Sequence, residues 1–214
     1  MIPLKDSQSA NIFPFWIFTI IAVNIYVFYL QLTSINPELL ISQYALIPNL
    51  VNFSDFQTLP PFITSQFLHG GFLHIISNML FLWVFGDNVE ERLGFLFFPI
   101  FYLASGAVAA LAQYFFIADT NIPMIGASGA VAGVLGAYLA FFPGHTIKTL
   151  VPFFGFLTVI NIPASFMLIY WFFTQIFSGF ASVAVETASI GGVAFFAHIG
   201  GFLFGWIIAS ALKK

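Results

Sequence analysis

The sequence predicts an all-α membrane protein of six spans, and three observations carry that expectation. Of its 214 residues 60% are hydrophobic and only 6% charged, whereas a soluble domain carries about a quarter charged residues. The apolar residues gather into six runs near the roughly 20-residue length that crosses a bilayer. With six crossings, all five basic residues fall on one side.

In chain order, the spans are expected at about 12–32, 70–86, 95–116, 126–142, 160–180 and 191–211, within a single domain over 1–214. The segment before the first span, MIPLKDSQSANIFP, is nearly neutral, and no small-x-small cleavage site follows the apolar stretch. It reads as a retained span rather than a signal peptide. The second and fourth spans are short or interrupted by glycine, which predicts protein rather than lipid around them. Between spans one and two, residues 33–66 are too many for a tight turn and too apolar for a solvated linker. They are expected to form a folded, partly embedded loop.

Lys5 precedes span one, Arg92 follows span two, Lys148 follows span four, and Lys213 and Lys214 follow span six. The opposite side holds Glu38, Asp55, Asp119 and Glu186. The positive-inside rule then places both termini in the cytoplasm, as in a multi-pass protein of the cell's inner (cytoplasmic) membrane. The chain has no cysteine, which excludes disulfides and thiolate chemistry.

Ionisable and strongly polar groups inside a span are costly and point to function. The carboxylates and amines are all expected in loops. His74 and Asn78 in span two, Ser128 at the start of span four and His198 in span six remain. Each also has a plain structural role available. An intramembrane serine usually bonds its own i−4 carbonyl. Asn78 can join helices, and His198 can be a satisfied core histidine. His69 is expected at the outer end of span two as an interfacial residue, and His145, beside Pro143 and Gly144, in a cytoplasmic loop.

Depth argues against coincidence. At about 1.5 Å per residue, His74 and Asn78 lie some 6–12 Å below the outer edge and His198 about 10 Å. A recessed start to span four brings Ser128 to the same level. His74 and Asn78, four residues apart, share a helical face. Gly129 and Gly133 form a GxxxG face in span four, with Ser128 beside Ala132 and Gly136 on the adjoining one. His198, Gly201 and Gly205 share a face in span six. Small-xxx-small faces let helices approach closely, so a hydroxyl and an imidazole are expected to meet.

A serine hydroxyl needs a base within hydrogen-bonding reach, and histidine suits neutral pH. Without an intramembrane carboxylate, the machinery would be a Ser–His dyad. The Ser128 N–H, the Asn78 amide and the His74 ring are available to stabilise an oxyanion. A zinc protease would need an HExxH-like motif, which His74–Asn78 is not. An aspartyl dyad would need two intramembrane aspartates. Transport is disfavoured because neither an inverted repeat nor an intramembrane charge is evident.

The stretches FLHGGFLHIISNMLFLWVFGDNVEERLG (67–94), MIGASGAVAGVLGAYLAFFP (124–143) and AHIGGFLFG (197–205) closely resemble the rhomboid intramembrane serine proteases. HxxxN, GASG and AHxxGxxxG together are specific to that family, in the order and spacing found here. The resemblance implies a six-helix rhomboid-like bundle with Ser128 as nucleophile and His198 as base. It also implies His74 and Asn78 as oxyanion-hole side chains, with Gly126 opening the backbone around the serine. Neither cofactor nor metal is implied, and nucleic acid is not an expected partner. The implied partners are the lipid bilayer and single-span membrane proteins, cut within or near the membrane at small residues followed by helix-destabilising ones. The fifth span and residues near 181–192 would gate substrate entry, and the active site would open to the outer side.

Two departures stand out. Some members place a tyrosine four residues after the serine, where it stacks on the catalytic histidine; here Ala132 stands there. The Trp-Arg pair found in the first loop of some members is absent from 33–66. The alternative is a non-catalytic rhomboid-like protein that binds membrane helices, but such proteins typically lose the serine or histidine retained here.

Overall fold

The computed structural model describes all residues except 9, 154, 185–192 and 214. The described helices are α1 (Phe15–Thr33), α2 (Pro37–Tyr44), α3 (Pro61–Thr64), α4 (Phe72–Leu93), α5 (Phe97–Phe116), α6 (Ser128–Phe141), α7 (Ala164–Ala184) and α8 (Phe195–Leu212). Among the described residues, α1, α4, α5, α7 and α8 are long and apolar enough to cross a membrane. The shorter apolar α6 has 14 residues, about 21 Å of helix at 1.5 Å per residue. Most of its side chains are buried against other helices. It packs most closely against α8, and also against α5 and α4.

The chain is mostly helical but not all-α. Strands β1 (Ile2–Asp6), β2 (Thr146–Phe153) and β3 (Phe156–Pro163) form an antiparallel sheet in the order β1-β2-β3. TIKTLVPF and FLTVINIP are rich in β-branched and aromatic residues, which favour a pleated backbone. Gly155, at φ +85°, lies in the connection between β2 and β3. Pro163 biases Ile162 toward extended backbone. Helix α7 therefore starts at Ala164 rather than at the expected 160.

The second span is also longer than expected, since α4 runs on through Asp87, Glu90, Glu91 and Arg92. These charges lie within a helix and not in a loop. Partners explain why the helix continues. The buried Glu90 carboxylate accepts the Trp16 and Ile17 N–H groups at 2.9 and 3.0 Å. It thereby caps the first turn of α1, whose own N-cap residue, Pro14, makes no side-chain cap. Glu91 accepts the Asn11 N–H, and the Arg92 guanidinium lies 5.4 Å from the Phe141 ring centre.

The four described basic residues gather at one end of the bundle. Lys5 pairs across the sheet with Lys148, Lys213 donates to the Ala140 carbonyl, and Arg92 covers Phe141. Lys214 and Glu186, used in the charge-asymmetry argument, lie outside the described residues. Asp6 pins β1 to the same end. It accepts from Asn88 Nδ2 at 2.7 Å, bonds the Tyr138 hydroxyl, and lies 3.3 Å from His145 Nδ1. His145, in the loop between α6 and β2, is thus a structural member of this cluster.

Residues 33–66 fold into α2, α3 and short 3-10 turns. Leu46 exchanges two backbone hydrogen bonds with Met124, at 3.1 and 2.8 Å, and is fully buried. Thr64 Oγ1 donates to the Tyr44 carbonyl, and Gln66 Nε2 to that of Leu103. The loop is therefore anchored by backbone pairing and side-chain hydrogen bonds, in the absence of a Trp-Arg pair.

Candidate active site

Two helix starts and one helix face build the site. Ser128 is the first residue of α6, so the N–H groups of that first turn have no intrahelical partner and carry the positive end of the helix dipole. Two residues before it, Gly126 adopts φ +124° and donates its N–H to the Ser65 carbonyl at 2.9 Å. A Cβ at Gly126 would strike the His74 ring. Both the backbone angle and the space therefore require glycine.

The glycine faces of α6 and α8 approach closely. A Cβ at Gly201 would land on the Gly129 carbonyl, and one at Gly205 on the Gly133 carbonyl. Gly133 itself faces Ser105, and Gly136 faces the backbone at Phe202. Ser128 and His198 consequently line one cavity of about 660 Å³ together with His74 and Asn78. Ser128, Asn78 and His198 also border a neighbouring cavity toward Trp171. Ile122–Ile125 and Val193–Phe196 contribute to the larger cavity beside the starts of α6 and α8. It lies at the opposite end of α6 from Arg92 and Lys213.

Hydrogen bonds fix the side chains around this cavity. His74 Nδ1 accepts the Gly70 N–H at 3.3 Å, which places the ring proton on Nε2. Asn78 Nδ2 donates to His69 Nε2 at 3.1 Å. His69, three residues before α4, has a structural role: it is 2% exposed, and Gln31 pairs with both its N–H and its carbonyl. Burial, reinforced by neighbouring His74, pushes the His69 imidazole down to about 4. A neutral ring is free to accept from Asn78 at pH 7.

His198 is held by residues that the motif reading missed. Its Nδ1 lies 2.8 Å from Gln175 Oε1, and Trp171 packs beside the ring at 5.6 Å between centroids. Both partners come from α7, which accounts for an ordered imidazole without a tyrosine at 132. Gln113 also escaped notice; its Oε1 accepts the Ala197 N–H at the start of α8. The signal available was an amide within an otherwise apolar span, the same reasoning applied to Asn78. Residues 185–192, assigned with the fifth span to substrate entry, lie outside the described residues.

In this mostly helical bundle, Ser128 at the start of α6 and the buried His198 of α8 line one cavity. Residues 57–214 match the Rhomboid domain. Rhomboid protein 1, mitochondrial, of Saccharomyces cerevisiae is 32% identical over 164 residues, covering 71% of this chain and 42% of its own. RHOMBOID-like protein 6, mitochondrial, of Arabidopsis thaliana is 30% identical over 153 residues, covering 70% and 42%. The Rhomboid protease GluP of Bacillus subtilis is 40% identical over 77 residues, covering 36% and 15%. The chain belongs to the rhomboid family, and it spans less than half the length of each of these relatives.

Proposed function

We propose that the chain is an intramembrane serine endopeptidase that cuts single-span membrane proteins with a Ser128–His198 dyad. The observation that carries this reading is the shared cavity of Ser128, His198, His74 and Asn78. In the proposed reaction, His198 Nε2 takes the Ser128 hydroxyl proton as Oγ attacks the scissile carbonyl. The developing oxyanion receives hydrogen bonds from the Ser128 N–H, His74 Nε2–H and the second amide hydrogen of Asn78. The imidazolium then returns its proton to the departing amine. Water, deprotonated by the same nitrogen, releases the acyl-enzyme.

The proposed placement is a multi-pass protein of the inner membrane in which α6 counts as a sixth crossing. The end bearing Lys5, Arg92, Lys148 and Lys213 faces the cytoplasm, and the cavity opens to the outer side. Part of 33–66 rests in the outer interface. Purified protein in detergent, given a single-span substrate, tests the chemistry. Wild type is expected to cut, while Ser128→Ala and His198→Ala do not. Cutting by Ser128→Ala at the wild-type rate would sink the proposal.

A further inference from the structure

We infer that Gln175 is the positioning residue for His198, selecting the one ring tautomer that leaves Nε2 free as a base. The inference deepens the protease reading above and rests on it for its catalytic consequence.

Gln175 and His198 are both about 8% exposed, so water offers little competition for their contact. An imidazole Nδ1 can donate or accept, depending on where the proton sits. The partner atom decides which. Gln175 Nε2 donates to the Trp171 carbonyl at 3.3 Å and to Thr174 Oγ1 at 3.1 Å. Those two acceptors on its own helix fix the direction of the amide. Reversing it would set Oε1 against the Trp171 carbonyl, acceptor against acceptor. The atom facing His198 is therefore Oε1, which can only accept, at 2.8 Å.

A proton on Nδ1 leaves the Nε2 lone pair available on the far side of the ring. A base that must take a hydroxyl proton needs that arrangement, and the wrong tautomer is inert however well the ring is placed. Trp171 supports the same ring on one side. Two residues of α7 thus supply orientation and tautomer to a base carried by α8. Partners that orient a metal-bound imidazole are worth roughly 10–100-fold in activity, and a similar order is expected for a partner that orients a histidine base.

The substitution that isolates this role is Gln175→Leu, close to glutamine in volume and without an acceptor. In cutting assays its kcat is expected to fall roughly 10–100-fold with KM little changed. The unpaired Nδ1–H is expected to lower the melting temperature by a few degrees, as loss of the Asn78 bond does. Gln175→Glu retains an acceptor for the Nδ1 proton, but its other oxygen faces the Trp171 carbonyl where Nε2 donated, so it is expected to recover only part of that loss. The groups around the ring are Gln175 and Trp171 of α7 and His74 of α4, so Gln175→Glu introduces a new charge. The acid limb of its pH–rate profile is expected to move to higher pH, which a residue that only fills space would not cause.

A second readout does not depend on cutting. Nitrogen-15 spectra of histidine-labelled protein report where the His198 proton sits, with His198→Gln assigning the signal. Wild type is expected to hold it on Nδ1, and Gln175→Leu to lose that preference. An Nε2-protonated ring in wild type overturns the inference, as does wild-type cutting by Gln175→Leu. Should wild type fail to cut while its ring is Nδ1-protonated in a Gln175-dependent way, the positioning role stands and the protease reading falls.

Discussion

At Asn78 one side-chain amide meets two demands: its nitrogen donates to the buried His69 ring and also faces the cavity that holds Ser128. Asn78→Ala removes both. On the protease reading, loss of one oxyanion donor lowers kcat by about 10²–10³-fold. Loss of a buried hydrogen bond costs about 1–3 kcal/mol of stability as well. Gln31→Leu separates the two effects. It leaves the paired His69 N–H and carbonyl without their partner and is expected to cost about 2–4 kcal/mol. Its kcat should stay within a few-fold of wild type, because Gln31 lies outside the cavity lining. Thermal unfolding in detergent beside a cutting assay checks both variants. A Gln31→Leu protein as crippled in kcat as Asn78→Ala would show that donor placement depends on the whole His69 cluster. Ser128, His198, His74 and Asn78 were legible because ionisable and polar groups are conspicuous in apolar spans. Gln175, Gln31 and Gln113 were equally conspicuous, but none belongs to a recognised motif, and only their contacts reveal what they hold.

Between elements, the closest approach is that of α6 and α8, where glycine carbonyls occupy the space a side chain would need. Gly201→Leu and Gly205→Leu force those backbones apart, and with them the cavity shared by Ser128 and His198. Both variants are expected to insert in the membrane yet lose labelling of Ser128 by a fluorophosphonate probe. Gly144→Ala, where the added carbon meets nothing within 4 Å, is expected to label like wild type. Normal labelling of Gly205→Leu would mean that the two helices tolerate separation. The contact between α1 and α4 has a different basis, since the Glu90 carboxylate caps two N–H groups of α1. Glu90→Ala should cost about 2 kcal/mol, and Glu90→Gln, which keeps one acceptor, about half of that. Helix periodicity made the glycine faces readable in advance. The hairpin of β2 and β3 was not readable, because VPFFGFLTVINIP is as apolar as a span. Its extended conformation shows in the pairing of β2 with β3 and of β2 with Ile2–Asp6.

Over the whole molecule, charge and chemistry separate along the length of α6. Arg92 and Lys213 meet its C-terminal end, where Ala140 and Phe141 lie, and the Ser128 cavity occupies its start. Sequence reading placed the basic residues on one side by counting spans, an inference that one miscounted crossing would scatter. Their convergence in three dimensions does not rest on the count, and it includes a cross-strand pair, Lys5 with Lys148, in a sheet that span counting ignored. If the basic end faces the cytoplasm, the loop before α3 and the β2–β3 hairpin lie on opposite sides of the membrane. The natural absence of cysteine makes this directly measurable. Ser54 in that loop and Asn161 in β3 both lie exposed on the protein surface, so single substitutions Ser54→Cys and Asn161→Cys should leave the fold intact. In intact spheroplasts a membrane-impermeant maleimide is expected to label Ser54→Cys but not Asn161→Cys. After permeabilisation both should react. Labelling of Asn161→Cys in sealed cells, with Ser54→Cys protected, would invert the molecule and place the Ser128 cavity on the cytoplasmic side.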